Sequence, residues 1–181
     1  MGDERVVGES AAYIAGNGVR PRDAWAAEAA AAGGTGSQRI TFAGAVPATA
    51  DVAAALGVEA GATVVVRRRL VLLDGAPVET ADAYYPQAVA GGTPLAEPSR
   101  IPGGAAAFLA GMGLGADRVL EEIHARVPTP DERHVLRLPA GEPVLVLTRL
   151  SLAGDGTPFE YAVMTMRSAG RVLRYDLRPG A

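Results

Sequence analysis

Two arginines and a glutamate in the first half of the chain have the types and spacing of an anion-binding site. Arg67 and Arg69 are two residues apart in a β-branched run, so on a strand their side chains emerge on the same face. Glu79 follows an Asp-Gly turn and can face one of them from the next strand. A guanidinium binds carboxylate or phosphate through two parallel hydrogen bonds. The alternative is an Arg/Glu ladder that stabilises the hairpin by about 0.2–1 kcal/mol if exposed.

The same pattern occurs a second time in the C-terminal half. An apolar run ending in Arg69 leads to residues 74–79 (DGAPVE), and a similar run ending in Arg149 leads to residues 155–160 (DGTPFE). Arg149 and Glu160 are therefore the counterparts of Arg69 and Glu79. An internal repeat of this kind predicts two structurally equivalent units.

The composition excludes several classes of protein. An apolar fraction of 49% over 181 residues is typical of one globular domain with a buried core. The absence of cysteine excludes disulfides and thiolate metal sites within the chain, and the presence of only two histidines argues against a histidine metal site. We therefore expect neither a metal nor another cofactor.

The charge and hydropathy argue against nucleic acid and membrane as direct partners. The net charge is −3, whereas DNA-binding domains carry a basic face. The longest basic cluster, residues 67–69, alternates between the two faces of a strand and cannot form one patch. No run approaches eighteen apolar residues and the N-terminus lacks a signal-peptide pattern, so we expect a cytoplasmic protein.

The first unit is predicted to consist of a helix, a strand, a second helix and a long hairpin. Residues 1–21 form a lead-in without a clear period, and Asp23 is placed to cap a helix over 24–32. The remaining predicted elements are a strand over 38–45, a helix over 52–56 capped by Thr49 or Asp51, hairpin strands over 63–73 and 77–85, and a short helix over 105–111.

The second unit repeats this plan. Residues 118–127 form a strand, although 120–125 could equally be helical, and Thr129 and Glu132 form a capping box for a helix that runs to about residue 136. Strands over 142–153 and 157–167 form the second hairpin, and a last strand covers 171–177. Two such units predict an α+β fold, an antiparallel sheet with helices segregated to one face.

In this pattern the sequence resembles the UTRA domain, the effector-binding half of GntR-type bacterial regulators of the HutC subfamily. The signatures occur in order: Asp23-Ala24-Trp25, Val46-Pro47-Ala48, the two hairpins, Tyr84-Tyr85-Pro86 and Arg167. The resemblance covers roughly residues 22–178 and implies a chorismate lyase-like fold that acts as a dimer. Such regulators bind DNA through a winged helix-turn-helix, which is absent from these residues.

The resemblance also implies which residues line the effector pocket. Its arginines grip anionic groups, and Glu160 falls where family members accept hydrogen bonds from effector hydroxyl or amide groups. Met166 replaces a tyrosine of sugar-binding members, and both Met166 and Trp25 are either pocket wall or core. The expected ligand-binding set is Arg67, Arg69, Glu79, Glu160, Trp25, Met166 and Arg149.

The expected ligand is a small metabolite with one acidic group and an apolar body. Sugar-phosphate sensors of the family place serine or threonine where this chain has Ala24 and Gly104-Ala105, which have no side-chain donor for a phosphate. The alternative function is a stand-alone enzyme on the same fold, a lyase, isomerase or cyclase without metal or covalent nucleophile. It would use Arg69, Glu79 and Glu160, and it rests on fold analogy.

Overall fold

The computed structural model describes residues 6–9 and 21–176, and its centre is a six-stranded antiparallel sheet. The strands are β1 (Val6–Glu9), β2 (Gly36–Pro47), β3 (Thr63–Leu73), β4 (Ala76–Pro86), β5 (Arg118–Arg126), β6 (Val144–Leu152), β7 (Pro158–Arg167) and β8 (Arg171–Arg174). The helices are α1 (Pro21–Ala31), α2 (Ala50–Leu56), α3 (Gln87–Ala90), α4 (Gly104–Gly111) and α5 (Pro130–Val135), with a 3₁₀ turn at Pro94–Ala96. The predicted α+β class and antiparallel sheet are confirmed.

The strand order shows that the sheet is made of the two repeated units. The order is β2-β3-β4-β7-β6-β5, so the first unit supplies one half and the second unit the other, and β4 meets β7 in the middle. Aligning the two hairpin motifs makes Asp82 and Val163 equivalent, and these two residues are paired directly across β4 and β7. An approximate twofold axis therefore passes between them. β1 and β8 form a separate parallel ribbon.

The hairpins form because their turn residues adopt positive φ angles. Asp74 and Gly75 have φ of 49° and 77°, the left-handed pair that a two-residue hairpin turn requires. Both hairpins then carry an irregularity at equivalent places, after Val71 in the first and after Ser151 in the second. The shared irregularity keeps Glu79 and Glu160 at matching positions of the two units.

The helices lie on both faces of the sheet, so the expectation that they are segregated to one face is wrong. Neighbouring residues of a strand point to opposite faces, and helices pack against both faces of this sheet. On one face, α2 packs through Leu56 on Val64, and the segment after α5 packs through Leu136 on Val144. On the other face α1 packs on β3, and α4 packs with α3 and the 3₁₀ turn on a separate core cluster.

Several predicted boundaries change. α1 begins at Pro21, so Asp23 lies inside the helix instead of capping it, and Thr49 occupies the N-cap of α2 without a side-chain capping bond. Residues 118–126 are a strand, which settles the ambiguity of that segment. The last strand ends at Arg174, and residue 177 lies outside the described residues. Of the predicted lead-in, Val6–Glu9 forms β1, while 1–5 and 10–20 also lie outside them.

Within the described ranges, no helix combines the length and the apolar character needed to span a bilayer.

The capping box predicted for α5 is present and is reinforced by an arginine. The Thr129 hydroxyl accepts from the Glu132 N–H and the Glu132 carboxylate accepts from the Thr129 N–H. Both terminal nitrogens of Arg126 donate to the same carboxylate, at 2.6 and 2.7 Å. The hydrogen bonds from Arg126 lower the pKa of Glu132 to about 2.

Replacing Glu132 by Gln tests this contact, because the amide keeps a capping group but removes the charge. A carboxyl group whose pKa falls from 4.5 to about 2 on folding stabilises the fold above pH 4.5, and this contribution is lost as the pH falls toward 2. In urea unfolding we expect Glu132→Gln to be less stable than the wild type at neutral pH, with a difference that shrinks through this window. Asp131→Asn, an exposed carboxylate in the same helix turn, is the control. A deficit that acid leaves unchanged would contradict the ion pair.

Candidate functional site

A cavity of about 510 Å³ lies on the face of the sheet that carries α1 and α4. Its floor is formed by alternate residues of β3, β4, β6 and β7. Its sides are α4, the segment around Pro98–Ile101, Trp25 of α1 and the β1–β8 ribbon. All of the residues predicted to bind ligand line this cavity: Trp25, Arg67, Arg69, Glu79, Arg149, Glu160 and Met166.

The strand register explains why these side chains meet. On β3, Arg69 lies opposite Ala81 of β4, and Val71 lies opposite Glu79. On β6, Arg149 lies opposite Ala162 of β7, and Ser151 lies opposite Glu160. Small alanines thus sit between the long ionic side chains. Their size leaves space above the floor, so a cavity forms instead of a filled core.

Arg67 lines the cavity, but its guanidinium is bound by the main chain. It is 5% exposed and donates to the carbonyl oxygens of Pro94, Leu95, Glu97 and Ser99, at 2.7 to 3.0 Å. These bonds use donors on both of its terminal nitrogens. Arg67 therefore anchors the loop that leads from the 3₁₀ turn to the cavity rim.

Arg149 is paired within the chain. Its Nε donates to Oε1 of Glu121 at 2.6 Å, and Oε2 of Glu121 accepts from the Tyr175 hydroxyl at 2.9 Å. The side chains of Arg149 and Glu121 are only 13% and 10% exposed, so solvent screens their attraction weakly. A carboxylate of β5 thus neutralises the arginine of the second unit.

Arg69 occupies the equivalent position of the first unit, and no carboxylate in the described part of the chain lies within salt-bridge distance of it. The residue opposite Arg149 is Glu121, whereas the residue opposite Arg69 is Ile40 of β2. Its Nη1 makes one long hydrogen bond of 3.4 Å, to the side-chain oxygen of Gln38. Arg69 is thus a half-buried guanidinium that faces the cavity with most of its donors available.

Glu79 faces Arg171 at the end of the cavity near α1. Arg171 lies 3.8 Å from Glu79 and 3.6 Å from Glu28 of α1, and its guanidinium carbon lies 5.7 Å from the centre of the Trp25 ring. Burial raises the pKa of Glu79, and the charge of Arg171 opposes this rise. The Trp25 indole N–H donates to the Leu72 carbonyl at 3.1 Å, so this residue joins α1 to the cavity wall.

Glu160 lies at the opposite end of the cavity. Oε1 of Glu160 accepts from the Tyr85 hydroxyl at 2.8 Å, and the buried Ser151 lies beside it on β6. Burial and the charge of Glu160 raise the pKa of Tyr85 well above its usual value, so the phenol stays protonated and donates. Among the described residues, no group of three or more His, Asp or Glu side chains is arranged to hold a metal ion.

The family model described as the UTRA domain matches residues 31–169, more than half of the chain. The chain belongs to the UTRA domain family. The resemblance predicted from the sequence is therefore confirmed. An uncharacterized HTH-type transcriptional regulator of Streptomyces coelicolor is 37% identical over 136 residues, which are 74% of this chain and 51% of that protein. This UTRA domain thus spans about half the length of that relative.

Solved structures agree with this UTRA fold. The crystal structure of PhnF from Mycobacterium smegmatis matches with a TM-score of 0.75 at 21% identity, covering 97% of this chain and 73% of PhnF. A GntR-family transcriptional regulator from Bacillus cereus matches with a TM-score of 0.66 at 18% identity, covering 81% of this chain and 98% of that one. At these identities the likeness shows the fold alone.

Ser151, Tyr85 and Arg171 are among the cavity residues of the UTRA domain that the predicted set lacks. Ser151 follows Arg149 by two residues, so the same alternation that places Arg149 could have found it. Tyr85 follows Glu79 by six residues on β4, so alternation also places it on the cavity face, while its contact with Glu160 depends on the pairing of β4 with β7. Arg171 has no signal in the sequence, because its position depends on the β1–β8 pairing and on α1. Gly104 and Ala105, where the sequence lacks side-chain donors, both line the cavity.

Arg67→Ala should destabilise the domain, because it removes the guanidinium that donates to four carbonyl oxygens of one loop. We expect a loss of at least about 2 kcal/mol in urea unfolding, together with faster amide hydrogen exchange in residues 94–99. Arg68→Ala is the matched control, since Arg68 lies on the other face in an exposed ion pair and should cost below about 1 kcal/mol. Equal losses for the two variants would show that Arg67 is not an anchor.

Proposed function

We propose that this UTRA domain binds a small-molecule effector through an anionic group of the ligand, as the sensing part of a GntR-type transcriptional regulator. The family membership and the helix-turn-helix regulator among its relatives support the regulatory context. In this proposal the regulator belongs to the HutC subfamily, and the domain acts in the cytoplasm as a homodimer. DNA is contacted through a separate helix-turn-helix domain. The match to the Streptomyces coelicolor regulator covers 51% of that protein, which agrees with this division.

The difference between the two pseudo-equivalent arginines supports the anionic group. Arg149 is bound by Glu121, whereas Ile40 stands opposite Arg69 and supplies no charge. A ligand carboxylate above Arg69 would take the place that Glu121 fills in the other unit. Charge-assisted bidentate hydrogen bonds of this kind are among the strongest that proteins make.

The rest of the cavity favours a ligand with an apolar body. Its volume of about 510 Å³ lies within the range typical of small-molecule sites. The wall between the ionic residues is apolar, with Leu109 from α4, Leu147 from β6, and Phe159 and Met164 from β7. Gly104 and Ala105 supply no hydroxyl, so a carboxylate fits this wall better than a phosphate.

Binding acts on transcription if the ligand has different affinities for two arrangements of the regulator. The size of the shift is limited by that difference in affinity. α1 and β1 precede the six-stranded sheet in the chain, and α1 and the β1–β8 ribbon contact the cavity wall through Trp25 and Arg171. They are the elements through which an occupied cavity would act on a preceding domain.

Arg69→Ala tests the proposed function. We expect titration calorimetry with hexanoate and other straight-chain monocarboxylates to show affinity reduced tenfold or more relative to the wild type, about 1.4 kcal/mol. Arg68→Ala removes a neighbouring arginine on the outer face and should bind as the wild type does. Affinities of Arg69→Ala within twofold of the wild type would refute the proposal.

A further inference from the structure

The ionic side chains in the cavity wall fall into two groups, those that are paired or fully hydrogen-bonded within the described structure and those that are not. Among the described residues that are at least half-buried there, Arg149 pairs with Glu121, Arg171 lies between Glu79 and Glu28, and Arg67 is bound by carbonyls. Two further ionic groups form no ion pair with a described residue, and their hydrogen-bond partners are neutral. They are Arg69, bonded to Gln38 at 3.4 Å, and Glu160, bonded to Tyr85 at 2.8 Å.

These two groups are too far apart to neutralise each other. Arg69 of β3 lies opposite Ala81 of β4. Glu160 of β7 lies beside Tyr85, which follows Ala81 by four residues on β4. With β4 between them, the two backbone positions are separated by about 10 Å across the strands and about 13 Å along them. Both side chains face the same cavity, so one molecule lying along its floor can reach both.

The end of the cavity at Glu160 is built to accept hydrogen bonds. A carboxylate has acceptors only, and the single hydrogen of Tyr85 is already given to Oε1. Oε2 and the hydroxyl of Ser151 remain beside it on the cavity wall. A group with several N–H donors and a positive charge satisfies both oxygens and balances the charge.

Glu79, the pseudo-equivalent of Glu160, is a carboxylate for which the chain itself supplies the positive charge. At Glu79, the positions of Tyr85 and Ser151 are taken by Met166 and Val71, which offer no hydroxyl. The positive charge there is Arg171, a residue of the ribbon. Among residues 6–9 and 21–176, no arginine lies within salt-bridge distance of Glu160, so the cationic group of a ligand can take the corresponding role.

We propose that the effector is a zwitterion of the amino-acid type, whose carboxylate binds Arg69 and whose protonated amine binds Glu160 and Ser151. This inference rests on the proposed function and adds a second group of opposite charge to the ligand. The apolar wall at Leu147 and Met164 then contacts the carbon chain between the two charges.

Three matched series of straight-chain probes test this assignment: ω-amino acids, ω-hydroxy acids and plain monocarboxylates, each from four to eight carbon atoms. They share the carboxylate and differ only at the far end. We expect calorimetry on the intact chain to show, at the optimal length, ω-amino acid affinity at least tenfold above that of the matched monocarboxylate. The ω-hydroxy acid should fall between them.

Two substitutions locate the effect. Glu160→Gln keeps a hydrogen-bond acceptor for Tyr85 but removes the charge, so the ω-amino acid should bind this variant no more tightly than the matched monocarboxylate does. Glu59→Gln, an exposed carboxylate outside the cavity, is the matched control and should keep the preference. Circular dichroism and melting temperature check that both variants are folded.

Each outcome separates this inference from the proposed function. If monocarboxylates bind as tightly as ω-amino acids, or if ω-hydroxy acids bind more tightly, the zwitterion is wrong while the anion site remains. Retention of the amine preference in Glu160→Gln also overturns it. If no probe of any series binds, or if binding does not depend on Arg69, the proposed function fails as well.

Discussion

Hydrogen bonding between β4 and β7 joins two units that would each otherwise be a three-stranded sheet with two open edges. The pairing of Asp82 with Val163 fixes the register of this joint, and with it the approximate twofold axis. Because side chains alternate between faces, this register also decides which residues of the two hairpins share the cavity. A shift by one residue would send the side chains of one hairpin to the opposite face.

The cavity floor could be predicted from the sequence because it depends on local alternation and on the repeat. Arg69, Glu79, Arg149 and Glu160 follow from the spacing of strand residues around two similar turns. The binding of Arg67 to a loop could not be predicted, because its partners are main-chain oxygens that carry no signature of their own. The distribution of the helices over both faces of the sheet could not be predicted from the sequence either. A short apolar helix shows that it packs on a sheet, but not on which side.

The repeat gives the sheet a symmetric frame, and the differences between its two units give the cavity two different ends. Arg69 lies opposite Ile40, which supplies no charge, whereas Arg149 lies opposite Glu121 and forms an ion pair with it. On the central strands β4 and β7, Tyr85 and Met166 occupy equivalent positions, but only Tyr85 offers a hydroxyl group. The frame is a property of both units, and the chemistry of the cavity arises where they differ. A comparison of equivalent positions is therefore more informative about the ligand than the identity of any one residue.

The way in which Arg67 holds its loop has a consequence for how this domain can change over evolutionary time. Its four acceptors are carbonyl oxygens, which every residue type provides. The loop can thus exchange its side chains without losing its attachment, and the segment it leads into contributes Pro98, Arg100 and Ile101 to the cavity. Mutational drift in this stretch can alter what enters the cavity while the frame beneath it stays fixed. New ligand preferences can then arise at little risk to folding.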